Sequence, residues 1–353
     1  MCCVVYRSFG LTHLRPLFWW EWFCAETTAA GIESSYRHNN KKSTNCKLQA
    51  YNHGDQAITQ LSDKISKGDF AITAEIVPPI SATGTQLLAE AEVIRGMVDG
   101  VNVTDGAGAS TTMSSFSAAA LLAAAGFEPV LQMTCRDRNR IALTSDLLGA
   151  AAHGCYNLLM LMGDDPAKGD QPDAKPVFDL DSRQIMEIAT ALRREGKLPS
   201  GKTVAEPPPF FVGAADMPID PAPDWKPEGL LAKIESGAQF AQTQFCFEPE
   251  VAARYIARLR EEGVTEKLGV LLGIGPILSV KSAKWMNDNL YGVTIPAQII
   301  KRLEQADDAK SEGRKLCAEL IQQYREIPGL AGVHIMAPAQ KTDAIAEAIT
   351  LAQ

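Results

Sequence analysis

The stretch Ala71-Ile-Thr-Ala-Glu-Ile-Val-Pro-Pro79 reads as a short, apolar β-strand that is followed by two prolines. Its carboxylate, Glu75, lies at the end of the strand, where burial is costly unless the charged group has a use. The stretch therefore predicts a first core strand that delivers an acidic side chain to one edge of a sheet.

The same theme recurs along the chain, since apolar β-rich runs end in polar residues and are followed by helical patterns. The predicted strands are residues 71–77, 100–104, 129–134, 156–162, 209–214, 240–245, 268–274 and 332–336. The predicted helices are residues 86–97, 113–125, 138–153, 182–195, 228–237 and 249–262, with several more between 279 and 327. Eight strand–helix units in roughly 290 residues match an α/β fold of the eight-fold (β/α), or TIM, barrel type.

A doubly wound open sheet is the alternative fold, because alternation of strands and helices does not by itself show closure. Neither Gly106-Ala-Gly108 nor the pair Gly273 and Gly275 completes a GxGxxG fingerprint, and no Gly-Lys-Ser/Thr phosphate loop is present. The missing fingerprints favour the barrel.

Composition limits the class of protein. The formal net charge of −8 argues against a nucleic-acid partner, which would favour a basic face. The eight cysteines show no metal-ligand spacing, so no metal site is predicted. We expect most of them, including Cys135, Cys155 and Cys246, to be reduced core thiols of a cytoplasmic protein.

Residues 1–60 differ from the rest because they show no sustained period. Their apolar stretches are too short to span a bilayer, and no secretory signal is evident. We expect a poorly structured extension or a non-native start here, with a lid or interface arm as the alternative. Residues 61–353 are then a single barrel domain with no membrane partner.

The carboxyl ends of barrel strands converge on one mouth. The residues predicted there are rich in carboxylates: Glu75, Thr104, Asp105, Thr134, Asp164, Asp165, Asp216 and Gln244. His153 precedes strand four and belongs to the opposite face, and His334 lies inside strand eight, where a hydrogen-bonded core histidine is expected. Acid–base chemistry therefore falls to a carboxyl group, with Glu75 the candidate general acid. A structural role for Glu75, or magnesium binding by the rim, remains an alternative.

These residues also carry a family resemblance. The strand-one motif resembles the Glu-Phe-Phe-Pro-Pro element of the methylenetetrahydrofolate reductases, and later motifs follow in the family's order over residues 65–352. Those motifs are Val103-Thr-Asp-Gly-Ala107, Leu131-Gln-Met-Thr-Cys135, Met162-Gly-Asp-Asp-Pro166, Lys233-Ile-Glu-Ser-Gly-Ala238, Thr243-Gln-Phe-Cys-Phe247 and Thr294-Ile-Pro-Ala297.

The resemblance implies a barrel that binds flavin adenine dinucleotide (FAD) and reduces 5,10-methylenetetrahydrofolate to 5-methyltetrahydrofolate, or runs the reverse oxidation. NADH or NADPH would be the electron donor. By the same resemblance, Glu75 is the acid that opens the folate ring. Asp164 is a catalytic carboxylate between flavin and pterin that contacts both, and Gln244 binds the substrate.

Flavin contacts are implied for Thr104 and Lys233, with the lysine suited to a phosphate. Gln132 and Phe178 occupy flavin-side positions where the family commonly has histidine and tyrosine, and Met162 stands where an arginine is common. We therefore expect flavin to bind less tightly than in common family members.

The sequence is also compatible with two other functions. A folate-binding methyltransferase on a similar barrel would need the pterin site but no flavin. A non-catalytic subunit with a decayed site is disfavoured because Glu75, Asp164 and Gln244 are all present. The expected partner is the small-molecule folate, and the expected assembly is a homo-oligomer.

Overall fold

The computed structural model describes residues 59–337 and 342–353. Its eight parallel strands pair in chain order and close into a barrel, because the last strand pairs with the first at Ala71↔Gly332. The predicted eight-fold barrel is confirmed and the open sheet is excluded. The strands are β1 (Ala71–Ile76), β2 (Gly100–Val103), β3 (Pro129–Thr134), β4 (Asn157–Leu161), β5 (Phe211–Asp216), β6 (Phe240–Phe245), β7 (Gly269–Ile274) and β8 (Gly332–Ile335).

The first helix precedes β1, and the other helices follow strands and pack around the outside of the barrel. They are α1 (Gln60–Ser66), α2 (Thr85–Val93), α3 (Ser115–Ala124), α4 (Arg140–Ala152), α5 (Ser182–Glu195), α6 (Glu228–Glu235), α7 (Pro249–Glu261), α8 (Val280–Asn289), α9 (Ala297–Gln305), α10 (Ala309–Arg325) and α11 (Asp343–Leu351). The sequence did not predict α1 or α11. It also placed β5 two residues too early, because the strand begins only after three prolines, which lack the backbone N–H that a sheet requires.

Alternate residues of each strand face the barrel axis. At the amino-terminal end of the barrel these inward residues form an apolar floor, against which Leu61 of α1 packs; the floor consists of Ala71, Val130, Leu159, Phe211, Phe240 and Leu271. The rings of Phe211 and Phe240 stack with their centroids 4.8 Å apart. Gly213 makes room for this pair, since a Cβ atom there would lie 2.3 Å from the ring of Phe240.

Helix α1 closes the floor from outside the sheet. The carboxylate of Glu128 accepts hydrogen bonds from the backbone N–H groups of Gln60 and Leu61, each 2.8 Å long, at the positive end of the helix dipole. Near the other end of the helix, Lys64 pairs with Asp99 at 2.9 Å. These contacts hold the Leu61 side chain, which is fully buried, against the floor.

The described residues bear on three further expectations from the sequence. The extension predicted over residues 1–60 lies outside the described residues except for its last two. Cys135, Cys155 and Cys246 are buried and unpaired, as expected. No helix in the described part of the chain combines the length and the apolar character that crossing a bilayer requires.

We expect Leu61→Ala to lower the free energy of unfolding by about 2–5 kcal/mol, because it leaves a cavity between α1 and the floor. Urea denaturation followed by circular dichroism measures the change. Leu351→Ala is the matched control. Its side chain is 52% exposed, so a change within about 0.5 kcal/mol is expected. Equal effects of the two substitutions would show that α1 does not close the barrel.

Candidate active site

Glu75 lies at the carboxyl end of β1 with its side chain inside the barrel mouth, 16% exposed. Its Oε2 atom accepts a hydrogen bond from Gln132 Nε2 at 3.2 Å, and His334 Nε2 lies 3.8 Å from the same oxygen. Among the described residues none donates a hydrogen bond to Oε1. One carboxyl oxygen is therefore held by the protein, and the other is available to a ligand.

His334 is buried and hydrogen-bonded, as the sequence predicted, but it is also a neighbour of the candidate acid. Its Nδ1 atom lies 3.0 Å from the hydroxyl of Thr73, while its Nε2 atom faces Glu75. The sequence reasoning missed this proximity. It also missed Asn102 and Gln242, which are buried beside Thr73. The sequence contained a signal for them, because Thr73, Asn102 and Gln242 each stand two positions before a predicted rim residue and therefore face the same side of the strand.

Thr104 follows β2 and is buried, with 2% of its surface exposed. Its hydroxyl oxygen has no hydrogen-bond partner among the described residues. A buried hydroxyl without a partner costs about 1–3 kcal/mol. An unpaired polar atom at the barrel mouth fits a site where a ligand completes the hydrogen bonding.

Asp164 is exposed just beyond β4, where it accepts a 2.8 Å hydrogen bond from the backbone N–H of Gly108. This bond ties the loop after β4 to the loop after β2. The buried guanidinium of Arg136 also contacts the loop after β2, because it donates a 3.1 Å hydrogen bond to Gly106 O. Hydrogen bonding to Asp137 raises the pKa of Arg136, and the charges of Asp105 and Asp164 act in the same direction. Arg136, which the sequence reasoning did not single out, thus places a cation near Asp164.

Lys233, on the last turn of α6, reaches the end of β5. Its Nζ atom donates to Ala215 O at 2.6 Å and lies 3.8 Å from Asp216 Oδ1. The hydroxyl of Tyr255 donates to the other oxygen of Asp216. Burial raises the pKa of Asp216, although Tyr255 and Lys233 act in the opposite direction. Lys233 is therefore a partly buried cation that already has an anionic neighbour.

Gln244 and Phe178 both have unusual local geometry. The Gln244 side-chain oxygen accepts from the next backbone N–H, that of Phe245, at 2.9 Å, where the β6–β7 register shifts. Its amide nitrogen remains able to donate to a ligand. Phe178 has a φ of +40°, which is rare for a residue other than glycine, and its ring packs on the core.

Two of the rim carboxylates have structural roles. Asp105 accepts hydrogen bonds from Ser115, from Arg138 and from both the backbone and the hydroxyl of Thr134. Asp165 caps the short turn Pro166–Lys168. Most of the acceptor sites of Asp105 are used by these hydrogen bonds. Asp105 therefore connects the loops around the mouth and is not a candidate for the general acid.

The cysteines next to the mouth are poor nucleophiles. Burial raises the pKa of Cys135 to about 11, and it also raises the pKa of Cys246. Both are therefore protonated thiols near neutral pH. Within residues 59–337 and 342–353, no three His, Cys, Asp or Glu side chains converge so that they could hold a metal ion.

Comparison with known proteins identifies what the chain resembles. The family model for methylenetetrahydrofolate reductase matches residues 60–350. A Caenorhabditis elegans protein named probable methylenetetrahydrofolate reductase (NADPH) is 28% identical over 233 residues, which cover 64% of this chain and 32% of the relative. Methylenetetrahydrofolate reductase 2 of Schizosaccharomyces pombe is 28% identical over 267 residues, which cover 70% of this chain and 39% of the relative.

The chain thus spans between a third and two fifths of the length of these relatives. Among solved structures, the fold is similar to an uncharacterised Clostridium thermocellum protein that binds two copies of 5-methyl-5,6,7,8-tetrahydrofolic acid. The TM-score is 0.51 at 16% identity, and the match covers 83% of this chain and 97% of that chain. At this identity the likeness concerns the fold alone.

We expect Thr104→Val to raise the free energy of unfolding of the ligand-free protein by about 1 kcal/mol, because it removes a buried hydroxyl that has no partner. Thr134→Val is the matched control. Its hydroxyl donates to Asp105 at 3.0 Å, so its loss should cost about 1.5–3 kcal/mol. Urea titrations of both variants measure the difference. If Thr104→Val destabilises the protein as much as the control does, the Thr104 hydroxyl has a partner in the ligand-free protein.

Proposed function

The chain belongs to the methylenetetrahydrofolate reductase family, and from this premise we propose that it reduces 5,10-methylenetetrahydrofolate to 5-methyltetrahydrofolate through a bound flavin. One observation supports this activity above the others. Glu75 has one carboxyl oxygen hydrogen-bonded to Gln132, while no described residue donates a hydrogen bond to its other oxygen. A carboxyl group held in this way can present a proton to a substrate nitrogen in a fixed direction.

Glu75 acts as the general acid of the folate reaction. Its Oε1 donates a proton to the nitrogen that leaves when the imidazolidine ring opens, and the ring opens to an iminium. The carboxylate that remains keeps the Gln132 hydrogen bond on Oε2 and has His334 beside it. Because these two groups are in place before the reaction, the new negative charge requires little rearrangement.

FAD, when bound, supplies the hydride that the iminium accepts. The residues of the mouth fit parts of this cofactor. The unpaired hydroxyl of Thr104 offers a hydrogen bond, and Lys233 offers a cation to a phosphate. Asp216 competes for that cation, and Met162, 45% exposed, supplies no charge at its position. These residues therefore support flavin binding, but with a lower affinity than Lys233 would give if Asp216 were not beside it.

The electron donor we propose is a nicotinamide nucleotide, NADH or NADPH, and the name of the nematode relative supports NADPH. Gln244 and Asp164 are the proposed contacts to the folate and, in turn, to the donor. A folate-binding methyltransferase is less favoured, because it forms no iminium and has no use for an acid held as Glu75 is.

We expect Glu75→Gln to slow the folate half-reaction by about 10²–10⁴-fold, since glutamine keeps the shape but cannot donate the proton. The half-reaction in which the nicotinamide donor reduces the flavin needs no such proton and should keep its rate. Stopped-flow absorbance measures the two half-reactions separately. Glu266→Gln, an exposed residue between α7 and β7, is the control and should leave both rates unchanged.

Two outcomes would contradict this assignment. Equal slowing of both half-reactions would make Glu75 a structural or flavin-orienting residue. An unimpaired folate half-reaction would move the acid to another group at the mouth, with Asp164 or Asp216 the next candidate. Failure of the wild-type protein to reduce the folate at all would contradict the proposed function itself.

We expect Lys233→Met to weaken FAD binding by about tenfold to a hundredfold, the effect of losing one charged hydrogen bond of about 1.5–3 kcal/mol. Riboflavin, which has no phosphate, should bind both proteins equally. Fluorescence titration of the flavin-free protein measures both affinities. Lys226→Met, an exposed position just before α6, is the control. An equal loss for FAD and riboflavin would show that Lys233 supports the fold and does not contact a phosphate.

A further inference from the structure

We propose that Asn102 and Gln242 are positioning residues that fix the proton of His334 on Nε2 and thereby decide which oxygen of Glu75 carries the transferable proton. This inference rests on the proposed role of Glu75 as the acid. The two amides lie one layer below Glu75 in the barrel and are almost completely buried. They act through Thr73 and His334.

Asn102 and Gln242 form a reciprocal pair of amides in the barrel interior. Asn102 Nδ2 donates to Gln242 Oε1 at 2.5 Å, and Gln242 Nε2 donates back to Asn102 Oδ1 at 2.9 Å. Both side chains are almost completely buried. Buried amides that satisfy each other are held in one orientation, because rotating one alone would set donor against donor and acceptor against acceptor.

This amide pair orients the hydroxyl of Thr73. The remaining hydrogen of Gln242 Nε2 points to Thr73 Oγ1 at 2.9 Å, with His334 Nδ1 3.4 Å away. Since Thr73 Oγ1 accepts this bond, its own hydrogen is free to be donated. The nearest acceptor is His334 Nδ1 at 3.0 Å, whereas Val333 O is 3.5 Å away.

The same contacts assign the tautomer of His334. The Thr73 hydroxyl donates to Nδ1 at 3.0 Å, and the Gln242 nitrogen, 3.4 Å from Nδ1, offers it no acceptor, so Nδ1 is the accepting nitrogen. The neutral ring therefore carries its hydrogen on Nε2, the nitrogen that lies 3.8 Å from Glu75 Oε2. Which nitrogen of a histidine holds the proton is set by the hydrogen bond of the other.

The tautomer of His334 determines which oxygen of Glu75 carries a hydrogen. Gln132 donates a hydrogen bond to Oε2, and the protonated Nε2 atom of His334 lies 3.8 Å from the same oxygen, so a protonated Glu75 carries its own hydrogen on Oε1. With the opposite tautomer, the bare Nε2 atom would attract the carboxyl hydrogen to Oε2, away from the available oxygen. The amide pair thus keeps the acidic hydrogen on the oxygen that a substrate can reach, although the pair makes no hydrogen bond to Glu75.

Gln242→Glu tests the chain of contacts with almost no change in volume. An acceptor oxygen now faces His334, so the hydrogen should move to Nδ1. Nitrogen-15 NMR of histidine-labelled protein distinguishes the two tautomers, and His334→Gln assigns the signal. We expect Nε2 to be protonated in the wild type and Nδ1 in Gln242→Glu. We expect the folate half-reaction of the variant to slow by about 10–100-fold, a part of a full general-acid effect. The donor half-reaction should stay within about twofold.

Asn157→Asp is the matched control, since it also places an acid at a buried amide of the barrel interior, where Asn157 bonds Thr59 at the floor. It should cost stability but leave the tautomer and the ratio of the two half-reactions unchanged. Gln242→Met, which removes the amide without adding a charge, should slow the folate half-reaction in the same direction as Gln242→Glu.

A wild-type His334 protonated on Nδ1 overturns the inference, as does equal slowing of both half-reactions in Gln242→Glu or the same selective loss in Asn157→Asp. The NMR result does not depend on catalysis. If the tautomers behave as expected but the wild-type protein does not reduce the folate, the proposed function fails while the hydrogen-bond assignment stands.

Discussion

Closure of eight parallel strands imposes the constraint on which the other features depend. In a closed barrel every second residue of each strand must face the axis, and this holds for all eight strands because the sheet has no edge strand. On β1 this rule sends Ala71 to the floor, Thr73 to the middle and Glu75 to the mouth. A shift of one residue would bury the outward side chains inside and expel the acid, so register and chemistry are specified together.

The polar middle layer is stable only because its members satisfy one another. A barrel interior is commonly filled with aliphatic side chains, and a buried polar group without a partner is penalised. Here Asn102 and Gln242 pair through both ends of their amides, and Thr73 links them to His334. Thr104, one layer higher, is the exception, and it lies where a ligand rather than another side chain would complete the bonding.

The sequence predicted the barrel because strand and helix periods are local, and it placed Glu75, Thr104 and Asp164 at strand ends for the same reason. It missed α1, since a seven-residue helix is too short for a period to be recognised. It also missed the neighbours of Glu75. Parity shows that His334 and Gln242 face inward, but which inward residues meet across the axis depends on strand stagger and on side-chain reach, which no local pattern contains. The contact between Asp216 and Lys233 was missed for the same reason, because it joins the end of β5 to α6 and the local pattern of neither element shows it.

The two ends of the candidate site differ in the charged groups that they contain. Around Glu75 the contacts come from amides, a hydroxyl and an imidazole. The net charge there therefore changes only when Glu75 or His334 gains or loses a proton. At the β5 end, Lys233 and Asp216 are already opposed, so the phosphate that we propose for this end would have to replace the carboxylate as the partner of the lysine. In the proposed function, binding energy at that end depends on an exchange of ionic partners, whereas the chemistry at Glu75 depends on the position of one hydrogen. A barrel can adjust these two properties independently, because Glu75 and His334 lie on β1 and β8 whereas Asp216 and Lys233 lie on β5 and α6.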